Sequence, residues 1–224
     1  GMVTNDLSAL SPENNTRSAF MLDPTGHVLA DLLIINREED LLLCLDRSIS
    51  ESVYTRLEGF VVLENVEITE QSDFLACLTI LGVNAKETVD GIGGGLAIAP
   101  NNSFGIPTTD VILANTDKEA AMNELRAKGL VPLSSLERET LRITRGSPKF
   151  GIDFDQSVLA PETSLIQSHI SYTKGCYVGQ EIVARIQSRG HTNRSIKRLI
   201  IESEFEPKSG TLLLATLDTA GTAK

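Results

Sequence analysis

The segment KGCYVGQE, residues 174–181, combines residue types that support thiol chemistry. Cys176 lies between two glycines, close to Lys174, and just before a pattern that predicts a helix. The thiolate is the reactive form of cysteine, and both a neighbouring lysine and a helix N-terminus favour negative charge. We therefore expect a reactive Cys176 at the surface of a cleft, where Gly175 and Gly179 let the backbone turn sharply. The alternative is a small, buried, hydrophobic cysteine.

A single acid, Asp31, interrupts an apolar stretch that predicts a strand over residues 27–36. Alternation along the strand places Asp31 on the same face as Leu29, Leu33 and Ile35. A carboxylate between apolar layers is costly unless it has a partner. We expect Asp31 to meet a hydrogen-bond donor or to line a pocket. A strand end near solvent, or a structural pair with an arginine, is the alternative.

The remaining cysteines and the histidines do not form a metal-binding pattern. Cys44 and Cys77 lie in apolar strand segments, and the three cysteines match neither a disulfide framework nor a zinc knuckle. No Ser/His/Asp arrangement can be inferred from spacing. We predict no metal site. The histidines are isolated in the sequence: His27, His169 and His191.

The charge of the chain limits the classes of partner. The net charge of −10 argues against a general nucleic-acid binder or a binder of anionic membranes. The segment 172–200 nevertheless carries six basic residues against one acid, which predicts either a solvated face or a local site for an anionic ligand. No secretory signal or membrane span is visible, so a cytoplasmic location is expected, with a monomer as the default.

Strands and helices alternate in mixed order, which favours an α+β fold over a doubly wound parallel sheet. Capping boxes at Ser48 and Thr116 predict two helix starts. Composition changes near residue 190, so we predict one region over 1–190 and the beginning of another over 191–224. Strands are predicted over 27–36, 40–45, 73–82, 95–100, 193–202 and 210–216, the first two forming a hairpin. Further helices are predicted over 135–145, 161–167 and 179–190.

The segment KGCYVGQE matches the K-G-C-[FY]-x-G-Q-E signature of the YgfZ-type folate-binding proteins, relatives of the glycine cleavage T-protein, an aminomethyltransferase. The resemblance covers essentially the whole chain. It implies a GcvT-like fold, in which ferredoxin-like α+β subdomains form a ring around a folate-sized hole and a C-terminal β-barrel follows. Family members usually extend beyond both ends of this sequence, so a truncated chain is expected. Other segments agree in family order: VTNDL (3–7), GHVLADLLI, RITRGSPKFGIDFD (142–155), PE (161 and 162) and ARIQSRGHTNR (184–194).

The resemblance implies tetrahydrofolate or another folate derivative as the cofactor. Asp31 resembles the folate-facing aspartate of the T-protein, and a pterin presents paired N–H donors that suit a carboxylate. The basic segment around 185–198 would suit the glutamate tail of folate. Further residues of the signature region are expected at the folate site, with motif turns at Gly175 and Gly179: Lys174, Tyr177, Gln180, Glu181 and Arg185.

Departures from the T-protein bear on the activity. Its GYTGE segment has no counterpart in residues 90–105, and Cys176 replaces an acid, so aminomethyl transfer is disfavoured. The resemblance implies an accessory protein that binds folate and uses Cys176 in assembly or repair of iron–sulfur clusters on client enzymes, including enzymes that thiolate tRNA. Folate and iron–sulfur clients or assembly factors are the expected partners. A folate-dependent aminomethyltransferase and a non-catalytic folate-binding interaction module are the alternatives, and whether the protein is an enzyme stays open.

Overall fold

The computed structural model describes residues 1–202, apart from 13, 38 and 64, together with 208 and 210–212. In this part, two three-stranded antiparallel sheets are surrounded by helices, so the predicted α+β class is confirmed. Among the described residues, no helix has the length and apolar character needed to cross a membrane.

The first sheet is built from neighbouring segments of the chain. Strands β1 (Thr16–Leu22), β2 (Val28–Asn36) and β3 (Leu41–Cys44) pair in that order, with β2 in the centre. The predicted strand over 27–36 and its hairpin with 40–45 are confirmed. Strand β1 gives no clear strand signal in the sequence, because only its second half is buried and its first half lacks an apolar alternation.

The second sheet has a central strand that also gives no clear signal in the sequence. Strands β4 (Leu75–Leu81), β5 (Gly95–Asn101) and β6 (Thr108–Ala114) form the order β4-β6-β5. The predicted strands over 73–82 and 95–100 are confirmed. The first six residues of β6 are buried although three of them are polar, and this polar start conceals the strand in the sequence.

Six α-helices accompany the sheets in the described part of the chain. The predicted helices over 135–145 and 179–190 are confirmed, whereas α2 was not expected within a turn-rich segment. The helices are α1 (Ser50–Glu58), α2 (Ala85–Val89), α3 (Lys118–Ala127), α4 (Ser135–Arg145), α5 (Ile166–His169) and α6 (Gln180–Arg189).

Both predicted capping boxes are wrong. The carboxylate of Asp46 accepts hydrogen bonds from the backbone N–H and the hydroxyl of Ser48, which produces a short 3-10 turn ahead of α1. Thr116 likewise lies in a 3-10 turn, and no side chain caps α3. A complete capping box occurs instead at the start of α4, between Ser134 and Glu137.

The helix predicted over 161–167 is interrupted. Ser164 has a φ of 66°, and a backbone in the left-handed region does not continue a right-handed helix. The interruption separates a 3-10 turn at Ala160–Glu162 from α5. The segment after α5 then leads directly into the KGCYVGQE region.

The predicted strand over 193–202 is wrong. This segment runs without strand pairing beside the 3-10 turn, where Ile196 donates its N–H to Glu162 and its carbonyl accepts from the Ser164 hydroxyl. These bonds tie the segment to a loop rather than to a sheet. The strand predicted over 210–216 lies mostly outside the described residues, and the boundary near 190 stays a prediction.

Two apolar clusters fix the position of β2. Buried residues of β1 and β2, among them Phe20, pack against segment 150–183. Further along the same face of the sheet, Ile35 of β2 packs with Ala99 of β5 and Ile112 of β6, which joins the two sheets. Because alternate residues of a strand share a face, Asp31 lies on the face of β2 that carries Ile35.

Candidate functional site

Asp31 has a specific hydrogen-bond partner that the sequence does not reveal. Its Oδ1 accepts a hydrogen bond from Nε2 of His169 at 3.0 Å, and its side chain remains 27% exposed. Among the described residues the Asp31 side chain has no other hydrogen bond, so its second carboxylate oxygen can still accept one. The expectation that Asp31 meets a donor is confirmed, and the donor is a histidine rather than an arginine.

The His169 imidazole is buried and fixed on several sides. The ring of Phe20 stacks on it, with centroids 4.5 Å apart and planes inclined by 23°. The hydroxyl oxygen of Ser168 lies 2.7 Å from Nδ1, and Thr4 Oγ1 donates to the His169 carbonyl at 2.6 Å. Because a carboxylate only accepts, Nε2 carries the proton in the bond to ionised Asp31. Asp31 and His169 are 138 residues apart, so spacing gave no signal for this pair.

Cys176 is an exposed free thiol, whereas the Lys174 ammonium is hydrogen-bonded to the N-terminal segment. The Lys174 ammonium donates to the carbonyl oxygens of Val3 and Asn5, at 2.9 and 2.7 Å. Its partial burial lowers its pKa. Lys174 therefore anchors the N-terminal segment to the cysteine loop, and activation of Cys176 by this lysine stays a prediction.

The N-terminal residues Val3–Asn5 form a clasp between β1 and the loop that follows α5. The Asn5 side-chain amide donates to the carbonyls of Ser18 and Ser168, at 2.7 and 2.8 Å. Thr4 is fully buried and exchanges hydrogen bonds with Phe20. This clasp connects the surroundings of Asp31 with the cysteine loop, and in the sequence it is visible only as the family segment VTNDL.

Tyr177 and Gly179 hold the signature segment against the first sheet. Tyr177 is buried in the core, and burial raises its pKa to about 12. Gly179 has a φ of 81°, and an added Cβ would lie 2.6 Å from the Asp23 carbonyl oxygen. The turn predicted at Gly179 is thus confirmed. The sharp turn expected at Gly175 is wrong, because its φ lies outside the left-handed region and an added Cβ would meet open space.

The other expected ligand contacts lie at the start of α6. Gln180 is half-buried, whereas Glu181 and Arg185 are exposed. All five basic residues between 185 and 198 are exposed. Contacts from these side chains to a ligand stay predictions.

Two surface cavities lie away from Asp31 and Cys176. One is formed beside α1, and the other beside α4. Neither is lined by Asp31 or by a residue of 174–185, whereas the cavity beside α4 is lined by Arg198, at the end of the basic segment. Within the described residues, no group of three or more His, Cys, Asp or Glu side chains has an arrangement suited to a metal ion.

Comparison with curated proteins identifies relatives along nearly the whole chain. The tRNA-modifying protein YgfZ of Yersinia pseudotuberculosis serotype O:1b (strain IP 31758) is 29% identical over 224 residues, which cover 94% of this chain and 67% of that protein. The proteins of the same name from Photorhabdus laumondii and Sodalis glossinidius are 26% and 24% identical with the same coverage. No family model matches the chain.

A solved structure shares the fold. The aminomethyltransferase T of the glycine cleavage system from Bartonella henselae matches with a TM-score of 0.69 at 16% identity. The match covers 84% of this chain and 57% of that aminomethyltransferase, so the chain spans little more than half of that protein. At this identity the likeness shows the fold alone. Together with the sequence relatives and the KGCYVGQE segment, it shows that the chain is similar to the YgfZ-type proteins and has the GcvT-like fold.

Proposed function

We propose that this protein binds a reduced folate at Asp31 and acts as an accessory factor in the assembly or repair of iron–sulfur clusters on client enzymes, including enzymes that modify tRNA. The observation that carries the proposal is the fixed Asp31 carboxylate, which has a partner on one oxygen and is accessible on the other. The name of the relatives, tRNA-modifying protein, supports the link to tRNA.

The residues around Asp31 fit a pterin. The pterin ring presents an N–H and an amino group side by side, and a carboxylate accepts such paired donors. His169 occupies one lone pair of one Asp31 oxygen, so the other acceptor positions remain for the ligand. A bound reduced folate supplies a carrier of one-carbon units. Asp31 would hold its pterin edge, with Gln180, Glu181 and Arg185 as candidates for contacts further along the molecule.

Cys176 supplies the second function in this proposal. A thiolate is a soft ligand that suits iron, but one cysteine cannot hold a cluster by itself. The exposed thiol would therefore act on a cluster, or on iron, that is shared with a client protein. Lys174 and Tyr177 support this loop by anchoring and packing rather than by offering free groups.

The proposal is tested in cells that lack their own YgfZ-type protein. We expect the wild-type chain to restore iron–sulfur enzyme activity and thiolated nucleosides in tRNA, and Cys176→Ala to abolish this effect. Cys44→Ala is the matched control and should restore both. Failure of the wild-type chain, or full activity of Cys176→Ala, would contradict the proposal.

A second candidate follows from the fold, because the solved relative is an aminomethyltransferase. This activity predicts formation of methylene-tetrahydrofolate from an aminomethyl donor, and the product should form equally with Cys176→Ser. Full activity of Cys176→Ala in cells, together with intact folate binding, would instead favour a non-catalytic interaction module.

A further inference from the structure

We infer that His169 is a positioning residue for Asp31: it fixes one carboxylate oxygen so that the other faces the ligand, and thereby selects a ligand edge with adjacent N–H donors, such as that of a pterin. This inference rests on the proposed function, since it takes Asp31 as the acid that binds the ligand. It concerns a residue that the KGCYVGQE signature does not include.

The imidazole is suited to this role because little freedom remains to it. Phe20 is fully buried and stacks on the ring, while Ser168 lies within hydrogen-bond distance of Nδ1. The Ser168 hydroxyl also lies 3.1 Å from the carbonyl of Leu165, which ties the ring to the start of α5. A donor held in this way directs its N–H toward Asp31 in one orientation.

Asp31 needs such a partner because its own strand does not restrain its side chain. Its β1 neighbour in the register is Phe20, which offers no polar group, and its other oxygen has no partner among the described residues. A carboxylate already held in its binding orientation loses less side-chain freedom when a ligand binds. The bond from His169 therefore contributes to ligand affinity without touching the ligand.

Two substitutions of His169 by amide residues distinguish a positioning role from a general structural role. The amide nitrogen of glutamine takes the place of Nε2, so His169→Gln keeps the donor to Asp31. The shorter asparagine reaches only the position of Nδ1, so His169→Asn keeps a polar group near Ser168 but loses Asp31. A role limited to packing or to local hydrogen bonding would not favour glutamine.

The experiment measures the dissociation constant of 5-formyltetrahydrofolate, a stable reduced folate, by calorimetry on the 224-residue chain. Thermal melting of each variant verifies folding. We expect Asp31→Asn to weaken binding by roughly 50-fold and His169→Asn by about tenfold, with His169→Gln within about twofold of wild type. His27→Gln is the matched control, because this partly exposed histidine lies outside the expected folate contacts, and it should bind like wild type.

The outcomes separate the inference from the proposed function. If wild type and Asp31→Asn do not differ, the proposed function fails and the inference fails with it. If Asp31→Asn is impaired but both His169 variants bind equally, whether like wild type or equally weakly, the inference alone is overturned. Weak binding by His169→Asn together with wild-type binding by His169→Gln supports it.

Discussion

The central strands of the two sheets each carry one acid, and the two acids differ in their surroundings. Asp31 on β2 is 27% exposed and is paired with an ionisable histidine. Asp110 on β6 is 7% exposed, and it accepts hydrogen bonds from the Thr79 hydroxyl and the Asn101 amide, at 2.6 and 2.8 Å. Burial raises the pKa of Asp110. The first acid is open to a ligand, whereas the second is enclosed by neutral donors.

The cysteines also differ in their surroundings. Cys176, on the side of the first sheet that carries the signature segment, is exposed. Cys44 of β3 is half-buried and Cys77 of β4 is exposed. Both lie near Asp110, and desolvation together with that carboxylate raises their pKa values to about 11 and 12. An accessible acid and an accessible thiol thus lie on the side of the signature segment, whereas the enclosed acid lies beside two thiols whose pKa values are raised.

Thiol labelling gives the largest expected contrast between these regions. At pH 8 we expect iodoacetamide to modify Cys176 at least about 100-fold faster than Cys77, because only a very small fraction of a thiol with a pKa of about 12 is ionised. Peptide mass spectrometry over time measures each rate. Comparable rates for Cys77 and Cys176 would remove the distinction between the regions, and labelling of urea-unfolded chain provides the reference rate.

Substitution of Gly175 and Gly179 tests how closely the signature segment packs against the first sheet. Gly179→Ala should lower the free energy of unfolding by about 2 to 4 kcal/mol, because its backbone is left-handed and a Cβ would contact the Asp23 carbonyl. Gly175→Ala is the matched control, with an expected change within about 0.5 kcal/mol. Urea unfolding measures both. Equal effects would show that the signature segment does not pack against Asp23 as described.

The enclosed acid predicts a smaller effect that depends on pH. The folded state binds the Asp110 proton more tightly than the unfolded chain does, so its contribution to stability is present below the ordinary value of 3.8 and is lost as pH rises through the folded pKa. The stability of Asp110→Asn relative to wild type should therefore increase between pH 4 and pH 7. Urea unfolding at both values measures it, and a relative stability that falls with pH would contradict this description of Asp110.

Local patterns predicted the elements whose signals are contained in one segment. The β2–β3 hairpin and helices α4 and α6 follow from apolar periodicity and turn residues. Strand β6 could not be predicted in this way, because its burial depends on the two neighbouring strands and not on its own residue pattern. The predicted capping box at Ser48 is wrong because the Asp46 side chain accepts a hydrogen bond from the backbone N–H of Ser48.

The site was predictable to a similar extent. Asp31 stood out as a charge in an apolar strand, and Gly179 as a turn in a recognisable motif. The partner of Asp31 could not be predicted, since His169 reaches it only through packing between distant segments. Lys174 was expected near a thiol or a ligand, and its bonds to Val3 and Asn5 depend on where the N-terminal segment lies.

The central claim is that Asp31, and not the enclosed Asp110, binds a reduced folate. Calorimetry with tetrahydrofolate under anaerobic conditions compares wild type, Asp31→Asn and Asp110→Asn directly. The account predicts measurable binding by wild type, a loss of roughly 50-fold for Asp31→Asn from the lost charged acceptor, and a change of less than about twofold for Asp110→Asn. Wild-type affinity in Asp31→Asn, or an equal loss in both variants, would contradict it.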